Sequence, residues 1–133
     1  MDIKKIYRIC DANLNRAKEG LRVVEDYLRF YLENDDLVRK AREIRHGLGG
    51  LISHSFYKKL VAERDVFNDC GFKISEVADK DLETVLLANI KRAEEALRVL
   101  EEYFKIIAKN KVATVKTLRY KFYNLEKGVY DEL

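Results

Sequence analysis

The chain repeats itself. Residues 12–30 read ANLNRAKEGLRVVEDYLRF and residues 88–106 read ANIKRAEEALRVLEEYFKI, so an offset of 76 aligns nineteen positions, ten of them identical. The likeness continues weakly beyond this block, where Ile44-Arg45-His46 answers Leu118-Arg119-Tyr120 after a two-residue slip. A duplicated unit that cannot bury its apolar face alone must stack on its copy. Apolar residues recur at three- and four-residue spacing and strict alternation is not sustained, so each unit reads as a helical hairpin. The expected fold is all-α: a four-helix bundle made of two duplicated hairpins at 5–62 and 80–128, with one irregular connector at 63–79, in a single domain 1–133.

Within that frame the spacing predicts helices over Lys5–Leu32, Leu37–Ala62, Lys80–Ala108 and Val112–Lys127, the second open to interruption at Gly47, Gly49 and Gly50. Asn34, Asp35 and Asp36 read as a turn with an aspartate as N-cap. The absence of proline removes the main helix breaker. Apolar residues at 47% and charged residues at 37% describe a well-cored chain and exclude disorder. Nothing approaches the ~18 consecutive apolar residues of a membrane span, and the first residues lack a signal-peptide core, so a cytoplasmic location is expected. Cys10 and Cys70 match no metal spacing and read as reduced thiols. The net charge of +3 arises from mixed dense charge with no long basic run, which does not indicate nucleic acid.

A helical wheel with Asn13 at its origin places Leu14, Ala17, Leu21, Val23, Val24, Tyr27, Leu28 and Tyr31 on one apolar arc. Asn13 lies near the centre of that arc and Arg16 about 60° to one side. Asn89, Arg92 and Ala96 repeat the arrangement. Glu19, Arg22, Glu25, Asp26 and Arg29, like Glu95, Arg98 and Glu101, fall on or beside the polar face. Two amides and two guanidiniums thus point toward a shared interior, next to small residues that leave room. Burying such groups unpaired is costly. Two readings follow: an internal network pairing Arg16 with a carboxylate of another helix, or a cavity in which these groups hold an anionic ligand.

The connector carries Arg64-Asp65, then Asp69 and Gly71. Two carboxylates four residues apart beside an arginine suit a magnesium–phosphate group, and equally suit a polar turn. Arg45 and Arg119 hold equivalent places at the stripe edges of the second and fourth helices. His46 and His54 are lone histidines. No phosphate loop of the GxxxxGK[ST] type is present, so phosphate handling here would fall to side-chain arginines and a carboxylate-held metal.

The blocks YRICDANLNRAKEGLRVVEDYLRF, ERDVFNDCG, LLANIKRAEEALRVLEEYFK and LRYKFYNLEK resemble the alternative, stand-alone hydroxymethylpyrimidine-phosphate kinases of thiamine biosynthesis, a domain also found fused N-terminally to thiamine-phosphate synthase. The resemblance implies transfer of the ATP γ-phosphoryl group to 4-amino-5-hydroxymethyl-2-methylpyrimidine phosphate, a functional link to the synthase, and Mg²⁺. By position it carries over Asn13, Arg16, Glu19, Arg22, Arg64, Asp65, Asp69, Asn89, Arg92, Glu95, Arg98 and Arg119. Val66 stands where the family usually has threonine. On this reading Arg16, Arg92 and Arg64 meet phosphate oxygens, with Arg45 and Arg119 extending the lining, and Asp65 and Asp69 hold magnesium. Asn13 and Asn89 meet the aminopyrimidine edge or a phosphate. The duplicated exposed faces lead us to expect a homo-oligomer.

Overall fold

The computed structural model describes residues 1–75 and 78–133; Glu76 and Val77, within the connector expected at 63–79, lie outside the described residues. The described chain is all helical: α1 (Ile3–Asp26), α2 (Asp35–Gly49), α3 (His54–Ala62), α4 (Cys70–Lys73), α5 (Leu82–Ile107) and α6 (Val112–Asp131). A π-helical turn, Tyr27–Tyr31, prolongs α1, and a 3-10 turn, Lys109–Lys111, precedes α6.

Local chemistry sets these boundaries. Asp2, Asn34, Ser53, Asp69 and Asp81 each accept a hydrogen bond from a first-turn amide of α1 to α5. The cap of α2 is therefore Asn34, not one of the aspartates, which instead occupy its first turn. The long helix expected over Leu37–Ala62 breaks after Gly49. Leu51 inserts into the core while Ser53 caps a new helix, so the chain turns rather than running on. Between α1 and α2, Glu33 takes φ 56°, a left-handed conformation that ends the preceding helix at a cost of roughly 1–2 kcal/mol for a residue with a Cβ.

The π turn has a second consequence. Each residue there advances less than 100° around the axis. Tyr31 is therefore carried off the expected apolar arc and is 67% exposed; Val23, which precedes the turn, is left outside the core independently of it.

The hairpins pack as equivalent pairs, α1 on α2 and α5 on α6, and join through α1 against α5 and α2 against α6, while α3 covers α1. The α1–α5 contact runs through Ala17, Gly20, Ala93 and Ala96, all buried. A Cβ on Gly20 would lie 3.0 Å from the carbonyl oxygen of Asn89 and 3.3 Å from the Cβ of Ala93. The small residues thus bring two backbones together. They do not leave the room that the wheel suggested, because the partner helix takes up the space they release.

Outside this crossing the core is aliphatic and aromatic, with Leu14, Leu21, Ile90, Leu97, Phe104 and Phe122 at its centre. The slip of two residues holds at the level of burial. Ala41, Ile44, Leu48 and Leu51 are buried in the first hairpin, as are Val115, Leu118, Phe122 and Leu125 in the second.

The crossing generates a stability prediction. Gly20→Leu, which forces a branched side chain against α5 backbone, is expected to lower unfolding free energy by about 2–3 kcal/mol. Gly49→Ala, whose added Cβ meets open space, is expected to be neutral or slightly stabilising. Urea denaturation of the two variants checks both.

Candidate functional site

A carboxylate removed from water needs cationic partners, and each hairpin buries one at the same place. Glu25 near the end of α1 is 2% exposed and receives Arg45 of α2, with Nε 3.0 Å from Oε2. Arg42 and Arg22 complete the shell at 3.3 and 3.2 Å. Glu101 on α5 is 4% exposed and receives Arg119 of α6, with Nε at 2.7 Å, and Arg98 at 3.4 Å. The wheel put both glutamates on or beside the polar face. The arginines of the neighbouring helix are what allow them inside. Arg45 and Arg119 accordingly tie the two helices of each hairpin together. Hydrogen bonding to Glu101 holds the Arg119 guanidinium above its already high ordinary pKa.

A third buried acid anchors the connector. Asp11 accepts from Nε and Nη2 of Arg64 at 2.7 and 2.6 Å, and Asn15 donates to the same carboxylate at 3.1 Å. Arg64 also reaches the hydroxyl of Tyr57 at 3.5 Å, and Lys18 Nζ stands 5.5 Å from the centre of the Tyr57 ring. Sequence reading overlooked Asp11. Its partner lies 53 residues away, and no local period announces such a pair.

The residues expected to line an interior cavity are distributed differently. Asn13 is buried, and its amide donates to the Ile9 carbonyl of its own helix at 2.9 Å; Asn89 donates to the Val85 carbonyl at 2.8 Å. Arg16 and Arg92 do not point inward. Both are exposed, one residue before the alanines of the crossing, and Arg16 donates to Asn13 Oδ1 at 3.3 Å. Glu19 and Glu95 are exposed on the same sides of their helices. The twin asparagine–arginine sets thus stand at the rim of the α1–α5 contact, because the close approach of the backbones closes its middle.

In the connector, Asp65 and Asp69 are exposed. Asp65 accepts from Asn68 at 3.0 and 3.2 Å, and Asp69 caps the single turn of α4 through Gly71 at 2.8 Å. Among the described residues no group of three or more potential metal ligands is assembled. Two exposed carboxylates suit a Mg²⁺ that arrives with phosphate oxygens and waters as its remaining ligands, which is how this ion is commonly held.

One groove is cationic. It lies between α1 and the end of α2, has a volume of about 570 Å³, and is lined by Lys18, Arg22, Arg45, His46, Gly49 and Gly50 among others. A second recess, lined by Lys116, Thr117, Tyr120, Lys121 and Asn124, lies along α6 alone.

Among the described residues the remaining buried carboxylate is Glu94, which meets the exposed Lys91 and the partly buried Glu126. Lys91 lies 3.3 Å from Glu94 and 3.0 Å from Glu126. Burial, then the nearby Glu126, push the Glu94 carboxyl from 4.5 up to about 7. Burial likewise pushes the Cys10 thiol up to about 12, so this cysteine is an inert core residue.

Fold and site together define a duplicated all-helical domain with cation-rich rims and an acidic connector. No described helix is long and apolar enough to cross a membrane. The ThiD2 family model matches residues 8–128, and the chain belongs to the ThiD2 family, which ties it to thiamine biosynthesis. It is 45% identical over 127 residues to a thiamine-phosphate synthase of Synechocystis, covering 93% of this chain and 36% of that protein. A thiamine-phosphate synthase of Synechococcus is 44% identical over 125 residues, with 92% and 34% covered. That of Thermosynechococcus vestitus is 40% identical over 129 residues, with 95% and 36% covered. The chain thus spans about a third of the length of these relatives. No solved structure matches it.

Two predictions follow from the buried acids. Glu101→Ala leaves Arg119, whose side chain is 11% exposed, without its counter-charge and is expected to cost about 3 kcal/mol. Glu25→Ala is expected to cost less, about 1–2 kcal/mol, because water can solvate Arg22 and Arg42. Urea unfolding of the pair checks the difference. For Glu94, a folded pKa raised above the unfolded value means the folded state binds more protons between pH 4.5 and about 7. Its contribution therefore falls as pH rises through that window. Glu94→Gln is expected to remove that slope and to exceed the parent in stability above pH 7 by about 1–3 kcal/mol, measured as urea midpoints from pH 4 to 8.

Proposed function

We propose that this domain is a phosphomethylpyrimidine kinase that transfers the ATP γ-phosphoryl group to 4-amino-5-hydroxymethyl-2-methylpyrimidine phosphate. A phosphate oxygen of the acceptor forms the new bond to the γ-phosphorus. The bond to the β–γ bridging oxygen breaks, and ADP leaves with that electron pair. The acceptor phosphate is largely ionised at neutral pH, so the reaction needs no strong general base. Its demands are charge neutralisation and in-line positioning.

The observation that carries this reading is the Asp11–Arg64 lock. It ties the acidic connector that carries Asp65 and Asp69 to the helix that bears Asn13 and Arg16. On this reading Arg16 and Arg92 meet phosphate oxygens and Asn13 and Asn89 orient the ligand. Arg64 acts as a positioning residue, and Asp65 and Asp69 would hold Mg²⁺. That ion, when bound, would neutralise charge on the phosphate oxygens. Membership of the ThiD2 family supports the same chemistry.

Specificity would come from the acceptor phosphate, since a neutral alcohol leaves cationic groups uncompensated. A coupled assay of ADP release is expected to show rates at least 100-fold higher with the pyrimidine phosphate than with the unphosphorylated alcohol, and Asp65→Asn is expected to lose most of that rate with little change in thermal stability. Comparable rates with both acceptors overturn the reading. Because the relatives are named as synthases, a second reading is a non-catalytic binding module. A rise in melting temperature with the pyrimidine phosphate but no ADP release favours that module.

A further inference from the structure

We propose that the groove between α1 and α2 is a binding site for a phosphate group, borne by a small anion and distinct from the Arg16–Arg92 rim. The proposal does not rest on the kinase reading. It rests on a comparison that the duplication makes possible, since the two hairpins share the buried glutamate–arginine clamp and differ in what lies over it.

Both hairpins carry the same clamp at the base of the groove, Arg45 on Glu25 and Arg119 on Glu101. In the second hairpin the clamp is covered. Tyr123 follows Arg119 by one turn, and Arg119 Nη1 donates to its hydroxyl at 2.9 Å, leaving the arginine side chain 11% exposed. Under the two-residue slip the residue equivalent to Tyr123 is Gly49, and a Cβ built there meets nothing within 4 Å. Arg45 is correspondingly 36% exposed and lines a groove of about 570 Å³.

The charge also differs. Glu25 is surrounded by three arginines, Arg22, Arg42 and Arg45, so the single carboxylate leaves an excess of two positive charges. Lys18 adds another at the groove wall. At the position equivalent to Lys18 the second hairpin has Glu94, and there Arg98 is divided between Glu101 and Glu102. The first hairpin is therefore uncovered, with three arginines on its buried glutamate, where the second is lidded and has two arginines on its own. Guanidinium forks and an ammonium around an open concavity are the recognition chemistry of a phosphate dianion.

The test uses the whole chain and its two histidines, of which His46 lines the groove and His54 begins α3. Inorganic phosphate is titrated at constant ionic strength, with chloride as the balancing ion, while the imidazole proton resonances are followed by NMR. The His46 signal is expected to move saturably while His54 stays. Gly49→Tyr, which rebuilds the lid of the second hairpin, and Lys18→Glu, which rebuilds its charge, are each expected to weaken binding at least ten-fold. Should the tyrosine variant fail to fold, Lys18→Glu carries the test.

Phenyl phosphate forms the second arm. Binding equal to or tighter than inorganic phosphate assigns the groove to a phosphate monoester, and exclusion of the ester assigns it to the free ion; both uphold the site. A His46 signal that does not move, that moves in step with His54, or that titrates unchanged in both variants overturns it.

Discussion

Two carboxylates withdrawn from water hold the architecture to one arrangement. Glu25 and Glu101 each sit where an unpaired charge would cost several kcal/mol, and beside an arginine of its own helix each takes a closer one that the next helix must present at one rotation and one height. Apolar packing alone tolerates small slips of one helix against another. A buried ion pair does not, because a slip of one residue turns the guanidinium about 100° away from its partner. The clamps thus set the register of α2 on α1 and of α6 on α5, and with it the line of contact along which the hairpins meet. Their stabilising value is a separate matter, since desolvation offsets much of the attraction. Their contribution is to exclude alternatives.

That line of contact decides where chemistry can occur. Ala17, Gly20, Ala93 and Ala96 let α1 and α5 approach until a carbonyl oxygen nearly touches the opposing glycine. A polar group in the middle of such a crossing has neither water nor a ligand to meet. The two asparagines accordingly turn back on carbonyls of their own helices, and the arginines one turn on emerge into solvent. Ligand chemistry is displaced to the periphery: to the rim, to the connector locked by Asp11 and Arg64, and to the groove at the end of α2.

Much of this was legible in the residues. The repeat, the all-helical class and the family lay in plain spacing and motif, and the helix ends fell near their capping side chains. Most of what was misread has one cause, that a helical wheel sees one helix at a time. Glu25 and Glu101 looked solvated because the wheel does not contain Arg45 or Arg119. A signal was nonetheless present, since glutamate and arginine are kept at matching positions in both copies while many neighbours change. Asp11 offered no such signal, for its partner lies in the unrepeated connector. The small residues were read as space when they are contact, a distinction that depends on what faces them. The π turn displaced Tyr31 because the wheel assumes a constant angle.

Duplication explains why a small domain can carry both rigidity and an open surface. Two copies of one hairpin supply a symmetric core, and symmetry by itself would supply either two grooves or none. The copies keep what the fold requires, the clamps and the small residues, and differ in what lies over them. Tyr123 closes its side by bonding directly to Arg119, which removes a charged group from water and completes its hydrogen bonding. Gly49 leaves the other side open, and Arg42 and Arg45 there share one carboxylate with Arg22. These three guanidiniums, each at least a third exposed, keep donors facing the groove and solvent. An incoming anion can reach those donors, whereas on the lidded side the Tyr123 hydroxyl already occupies Arg119 Nη1. One half of the molecule is thus finished by its own side chains, and the other leaves its guanidiniums open to water and to any anion the groove admits.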